Sequence, residues 1–244
     1  MLMREGKTDA LMGAGGDATL SAALASVVGA QPRAEAPGPA ISARAVTRYE
    51  RYAKAGFDRV AGVVLAVVAI PIFLVIALLI RVKLGKGVIY KQQRVGRHGK
   101  PFTMYKFRTM APDRRQSAQP FAGPDRRVCH KRDDDPRHTP LGRFLRRASL
   151  DELPQILNVV RGDMSLVGPR PELPHIVERY EPWQHARHSV KPGITGFWQL
   201  SGRAGGLAYE GVELDLDYLS NLSFGTDLWV LLRTVPVALS RTGR

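Results

Sequence analysis

The sequence is poor in several things that would each point to a function. It has one cysteine, Cys129, so no internal disulfide framework and no multi-cysteine metal centre can form, and a reducing, cytosol-facing location fits. Six histidines are scattered without the spacing of a ligand set, which argues against a zinc or iron site. Aromatic residues make up 7% of the chain and do not interleave with basic residues as a base-stacking platform would, and no nucleic-acid motif is present. Acidic residues are scarce beside basic ones, and the repeat periods that mark solenoids are missing.

What is present is positive charge and one long apolar run. Lysine and arginine total 36 against 22 acidic residues, a net charge of +14 over 244 residues. Residues 91–150 hold 16 basic and 5 acidic side chains, and so most of that excess. Such a balance calls for an anionic partner: a membrane surface, phosphorylated substrates or nucleic acid. The twenty residues Ala61–Ile80 contain only Gly62 and Pro71 outside the strongly apolar set and alanine. As a helix they would cover about 30 Å, the thickness of a bilayer's hydrocarbon core. Basic residues flank both ends, with Lys54 and Arg59 before and Arg81, Lys83 and Lys86 after. Both flanks then prefer the cytoplasmic face. A single segment meets that preference by entering, breaking at Pro71 and leaving on the same side, a re-entrant helix-break-helix.

Residues 1–44, rich in Ala, Gly, Ser and Pro, are expected to be a disordered lead-in rather than a signal peptide. Residues 45–86 form the membrane element, opening with a basic amphipathic helix over 46–57 that suits a membrane surface. Residues 87–244 are expected to be a cytosolic α/β catalytic domain, small and membrane-associated, with surface amphipathic helices. Within it the patterning predicts strands at 88–90 and 102–107 and a long polar loop over 111–140. Helices are predicted at 141–147, 149–160 (ended by Gly162), 173–183, 212–221 and 227–239. Trp183, Trp198 and Trp229 read as core or interface anchors, and Arg126, Arg127, Lys131 and Arg132 as a solvated or membrane-facing loop.

The chemistry centres on Ser149-Leu-Asp-Glu-Leu-Pro-Gln155. Ser149 and Glu152 fit a capping box, with serine at the N-cap and glutamate at N3, and on that reading Glu152 only satisfies backbone amides. The other reading is catalytic. Asp151 stands in the first turn, where the helix dipole favours its ionised form, and an ionised carboxylate is a competent nucleophile toward phosphorus. Attack on a diphosphate needs positive charge nearby. Arg143, Arg146 and Arg147 lie just upstream, and Lys106 and Arg108 belong to the same basic region. Two neighbouring carboxylates can divide the work, one attacking while the other holds Mg²⁺.

Four blocks together resemble the bacterial sugar transferase family, the monotopic phosphoglycosyl transferases. They are Tyr90-Lys-Gln-Gln-Arg-Val-Gly-Arg-His-Gly-Lys-Pro-Phe102 with Tyr105-Lys-Phe-Arg-Thr-Met110; Leu141 to Gln155; Asn158-Val-Val-Arg-Gly-Asp-Met-Ser-Leu-Val-Gly-Pro-Arg-Pro171; and Val190-Lys-Pro-Gly-Ile-Thr-Gly-Phe-Trp-Gln199 with Ser201-Gly-Arg203. The resemblance covers roughly residues 55–240. It implies an enzyme that takes a sugar 1-phosphate from a UDP-sugar, releases UMP and passes the phosphosugar to a polyprenyl (undecaprenyl) phosphate. Such a reaction initiates exopolysaccharide, O-antigen or other glycoconjugate assembly at the bacterial inner membrane.

The resemblance also implies roles for residues. Asp151 becomes the nucleophile of a covalent aspartyl-phosphosugar and Glu152 the Mg²⁺-associated carboxylate. Arg146 would bind lipid phosphate, Pro169, Arg170 and Pro171 the nucleotide, and Lys106 and Arg108 phosphate, while Pro71 would break the membrane helix. The family often has serine before that proline, where this chain has Ile70. Larger members carry further transmembrane helices in front, for which residues 1–60 offer no room, so the chain is expected to resemble the small form of the family. Gln199 and Arg203 have no role assigned from chemistry, and a homo-oligomer stays open. The competing reading, a basic membrane-bound scaffold or nucleic-acid binder without catalysis, predicts salt-dependent retention on nucleic acid instead of UMP release.

Overall fold

The computed structural model describes residues 46–111, 137–200 and 208–239. The lead-in over 1–44, most of the loop over 111–140, including Arg126, Arg127, Lys131 and Arg132, and Arg203 fall outside them.

After a π-helical turn at Tyr49–Ala53, helix α1 runs over Lys54–Leu84, 31 residues or about 46 Å if straight. Helical geometry continues through Pro71. Proline removes one donor but leaves the flanking apolar residues their own hydrogen bonds, so the predicted break at Pro71 does not interrupt the helix. One face packs on the rest of the protein, through Lys54, Asp58, Gly62, Ile76 and Ile80. The opposite face exposes Val64, Val67, Val68, Leu74, Leu78 and Val82.

The two halves of α1 enter different clusters. Ala61 and Phe57 pack against Met104, Val159, Met164, Tyr218 and Val230. Beyond the proline, Ile76, Ile80 and Phe73 pack with Phe107 and Leu145, the Phe73 and Phe107 rings lying 4.7 Å apart. Both ends are also held by polar contacts. At the start, the buried Lys54 ammonium donates to the Asp227 carboxylate (2.6 Å) and the Val167 carbonyl (3.1 Å). Tyr49 and Tyr218 donate to the same carboxylate. Asp58, one turn on, accepts from Ser165 Oγ and the Leu166 amide. At the far end the Arg108 guanidinium caps the Leu84 and Gly85 carbonyls, at 2.6 and 3.2 Å, and satisfies acceptors a helix end leaves open.

Lys54 is therefore no membrane-surface lysine. Its partner lies 173 residues away, so its place inside the protein left no local trace in the sequence. Lys54→Met should cost about 3–5 kcal/mol, because Asp58 and Asp227 would remain buried without their cation. Thermal unfolding in detergent checks this, and an unchanged midpoint would refute the latch.

Strand β1, Ile89–Val95, pairs antiparallel with β2, Pro101–Phe107, Arg94 opposite Phe102 and Tyr90 opposite Lys106. The first strand is longer than the predicted 88–90. Directly opposed residues share a face, and so do every-second residues along a strand. Arg94, Met104 and Lys106 thus lie on one side of the hairpin. Helix α2, Pro140–Arg147, follows, with Thr139 at its N-cap accepting the Gly142 amide. Its approach to the hairpin requires glycine, since a Cβ on Gly142 would sit 1.8 Å from the Thr109 carbonyl oxygen.

Residues Leu150–Gln155 then form a 3-10 helix running into α3, Ile156–Arg161, which ends at Gly162 with φ +87°. The predicted single helix over 149–160 is split because Pro154 lies inside it. Buried Asn158 on α3 donates to the Thr103 carbonyl and accepts from the Tyr105 amide, tying the helix to β2. Strand β3, Ser165–Val167, pairs in parallel with β4, Gly193–Thr195. Between them lie only a four-residue helix, α4 (Pro174–Val177), and a 3-10 helix over Pro182–Ser189. The predicted helix over 173–183 is cut short: Pro182 disfavours helical geometry at Glu181 and starts the next element. Short helix α5 (Phe197–Leu200), α6 (Ala208–Ser220) and α7 (Phe224–Leu239) close the described chain. The fold is mixed helix and strand, with one helix among the described residues long and apolar enough to cross a membrane.

Candidate active site

Asp151 and Glu152 sit on the 3-10 helix between α2 and α3. Two features remove the capping reading of this turn. Ser149 has φ +53°, left-handed, and its side chain caps nothing. Glu152 does not fold back onto the Ser149 amide. Its carboxylate instead accepts from the Lys106 ammonium at 2.7 Å, with Arg170 Nη2 at 3.7 Å. The capping box at 149–152 is absent; the one that forms joins Glu181 and Gln184.

The turn is held over the hairpin by Leu150 and Leu153, which join the Phe107–Leu145 cluster, while buried Gln155 closes it from below. Lys106 arrives from β2. Arg170 arrives on the loop after β3, which is drawn in by the Gly168 amide donating to Thr195 and the Gly193 amide donating to Pro169. A side chain at Gly193 would collide with the Gly168 amide nitrogen at 2.1 Å, so this seam needs glycine.

The two carboxylates are pushed apart electrostatically. Burial raises Asp151, the neighbouring Glu152 charge adds to the rise, and Lys106 and Arg146 only partly offset it, so its pKa reaches about 6. The helix dipole expected to favour ionised Asp151 is outweighed here by desolvation, since one 3-10 turn supplies little dipole, although the carboxylate is still ionised at neutral pH. Burial alone would raise Glu152 too, but Lys106, Arg170 and Arg94 hold it at about 2. Near neutral pH the pair is one firmly ionised, paired carboxylate beside one basic carboxylate with no ion-pair partner of its own among the described contacts. That is the division expected of a nucleophile and its electrostatic neighbour.

A small cleft opens beside Glu152, lined by Arg94, Lys106, Gln155, Arg170, Pro171 and Gln199 among others. Arg170 lies over the Trp198 ring at 4.6 Å, so Trp198 is a support for a site arginine and not only an anchor. Arg94 donates to the Pro171 carbonyl, and its Nε is buried without a protein partner. Gln199 is fixed by donating through Nε2 to the Ile194 carbonyl.

The sequence-named residues divide accordingly. The structure brings Glu152, Lys106, Arg170 and Pro171 together around the cleft, with Asp151 adjoining Glu152 in the chain. Arg146 stands at the end of α2, where its charge acts on Asp151 and its guanidinium donates to Thr109 Oγ1. Pro169 contributes its carbonyl to the seam. Arg108 is not brought to the cleft; it caps α1. Arg94, Gln155 and Trp198 went unrecognised as site residues: all three stood inside quoted motifs, but nothing in their neighbourhood signals that Arg94 and Gln155 line the cleft or that Trp198 lies under Arg170. Among the described residues no group of three or more His, Cys, Asp or Glu could hold a metal ion. Glu152 is the carboxylate lining the cleft and already pairs with Lys106 and Arg170, so Mg²⁺ there would share it with them and complete its shell with water and substrate phosphates.

The family model described as bacterial sugar transferase matches residues 49–241. The chain is 43% identical over 187 residues to the uncharacterized sugar transferase EpsL of Bacillus subtilis, covering 77% of this chain and 87% of that one. It is 41% identical over 203 residues to the undecaprenyl-phosphate galactose phosphotransferase of Salmonella typhimurium, covering 80% of this chain but 42% of the relative. To the UDP-glucose:undecaprenyl-phosphate glucose-1-phosphate transferase of Caulobacter vibrioides it is 40% identical over 191 residues, 75% of this chain and 68% of the other.

Proposed function

Because the chain belongs to the bacterial sugar transferase family, we propose that it moves a sugar 1-phosphate from a UDP-sugar to a polyprenyl phosphate through Asp151. The observation that carries this reading is the asymmetric carboxylate pair beside a cleft lined with cations. A diphosphate entering that cleft meets Lys106, Arg170 and Arg94. An Asp151 oxygen attacks the β-phosphorus, the bond from that phosphorus to the bridging oxygen breaks, and UMP leaves with the electron pair. An oxygen of the lipid phosphate then attacks the same phosphorus, regenerating the Asp151 carboxylate and giving a lipid diphosphate sugar.

Lys106 and Arg170 neutralise charge as the leaving phosphate forms. Asp151, with a pKa near 6, is ionised at neutral pH yet more basic than an ordinary aspartate, and so a better nucleophile. Glu152, held ionised, is the residue that would hold Mg²⁺, which would supply positive charge for the leaving group. Arg146, whose charge acts on Asp151, would receive the lipid phosphate. The test is UMP release by purified protein with undecaprenyl phosphate, Mg²⁺ and a panel of UDP-sugars that includes UDP-galactose and UDP-glucose. Release with no member of the panel would contradict the reading.

The reaction joins a water-soluble donor to a membrane lipid, so the site must sit at the bilayer edge. In support, α1 is tied to the same domain at both ends, by Lys54 and Asp58 at one and by Arg108 at the other. A polar domain gripping both ends keeps both on one face of the membrane, the re-entrant arrangement, with the cytosolic face favoured by the basic flanks. Helix α7 exposes Leu228, Trp229, Leu232 and Val235, and α2 exposes Phe144, which suits contact with the lipid surface. In a Cys129→Ser background, single cysteines at Tyr52 and Lys86 should react with an impermeant reagent from the same side. Labelling from opposite sides would make α1 a spanning helix.

A further inference from the structure

Arg187 and Asp215 lie away from the cleft and touch none of its open space, yet both are almost fully buried, at 3% and 2% exposure. They form an ion pair. Each also makes a hydrogen bond to the backbone of one residue, Arg170. Arg187 Nη2 donates to the Arg170 carbonyl at 2.7 Å, and the Asp215 carboxylate accepts the Arg170 amide. Arg187 Nη1 donates to the Tyr180 hydroxyl, which orients the guanidinium. The peptide groups on either side of Arg170 are therefore gripped at once, one by the cation and one by the anion of a single buried pair. From that anchored backbone the Arg170 side chain projects into the cleft, over Trp198 and toward Glu152.

We propose that Arg187 and Asp215 are positioning residues that clamp the Arg170 backbone so that its guanidinium stays over Glu152 and the donor's diphosphate. A pair kept only for stability would be a poor choice at this place. Burying two charges costs their hydration, and apolar residues of similar volume commonly serve as well or better; Arg187 Nε is moreover left without a partner. The pair instead provides direction. A donor and an acceptor fixed on opposite sides of one residue define the position of its Cα, which hydrophobic packing does not. Three elements remote in sequence meet here: the loop after β3, the 3-10 helix over Pro182–Ser189, and α6.

The clamp rests on the proposed transferase reading for its functional consequence, but its geometry is testable apart from activity. The apolar replacement Arg187→Met with Asp215→Leu should fold with an unchanged or higher thermal midpoint. Arg187→Lys keeps the ion pair, loses the fork that reaches the Arg170 carbonyl, and serves if the double variant does not fold. In either, amide exchange at Arg170 should quicken by about tenfold or more. With UDP-galactose and UDP-glucose assayed side by side, KM for the sugar nucleotide should rise by about tenfold or more while KM for undecaprenyl phosphate holds. In an Arg170→Ala background the same changes should add nothing, because coupled residues are not additive. Wild-type exchange at Arg170, or an undiminished effect without the Arg170 side chain, overturns the clamp. A wild-type protein that releases no UMP overturns the transferase reading instead, while the exchange measurement still decides the clamp.

Discussion

Asp151→Asn is expected to lower UMP release by about a thousandfold or more, to the background of the assay, while leaving the protein folded and at least as heat-stable. The activity loss follows from removing the attacking oxygen: an amide is not a nucleophile toward phosphorus, and no neighbouring group can replace it. Glu152 cannot, because its carboxylate is held at about 2 by Lys106, Arg170 and Arg94 and is correspondingly weak as a base. The stability expectation follows from the sign of the shift. Asp151 is raised to about 6 in the folded protein, above an unfolded value near 3.8. The native state thus binds more protons than the unfolded chain between those values, and stability falls as pH rises through that window. Above it the buried charge is a standing cost, which asparagine removes. Each kcal/mol recovered would lift the midpoint by about 2–4 °C in a domain of this size. Parallel thermal melts and UMP assays at neutral pH check both halves; lost activity with a fallen midpoint would point to a structural aspartate.

The second large effect is expected at Lys106. Its ammonium is the closest cation to Glu152 and also lowers the pKa of Asp151. Lys106→Met should reduce turnover by about a hundredfold to a thousandfold, the range seen when one preorganised charge-stabilising donor is removed. The pH profile should move as well. In the native protein the acidic limb is expected near pH 6, where Asp151 is protonated. The Lys106 charge acts on both members of the pair, alongside Arg146 on Asp151 and Arg170 and Arg94 on Glu152. Without it both carboxylates become less acidic, and the limb shifts to higher pH. Because the carboxylates titrate together, the limb belongs to the pair and not to one residue. A rate loss with the limb unmoved would mean that Lys106 binds substrate without tuning the pair.

Features that depend on local order were readable in the sequence. The apolar run located α1, the turn residues between 96 and 101 located the hairpin, and Gly162 marked where the helix after the dyad ends. Features that depend on partners far along the chain were not. Lys54 looked like an interfacial lysine until Asp227 placed it in the core. Arg108 shared a motif with Lys106 and was assigned to phosphate, but it follows the last residue of β2 and turns to the end of α1. Strands β3 and β4, three residues each, are too short for alternation to show, so the parallel seam that delivers Arg170 to the cleft was invisible. The capping-box pattern at Ser149 matched a common motif, and the fold put that serine in a left-handed turn where it caps nothing.

The Asp151 ester is the most exposed point of the account. Protein incubated with a UDP-sugar labelled in the β-phosphate, without lipid acceptor, should acquire label on the peptide bearing Asp151, and hydroxylamine should release it as from an acyl phosphate. Undecaprenyl phosphate added later should discharge that label into lipid. Product formation with no label on protein at any time would mean direct transfer between donor and lipid, and the nucleophilic role of Asp151 would have to be given up.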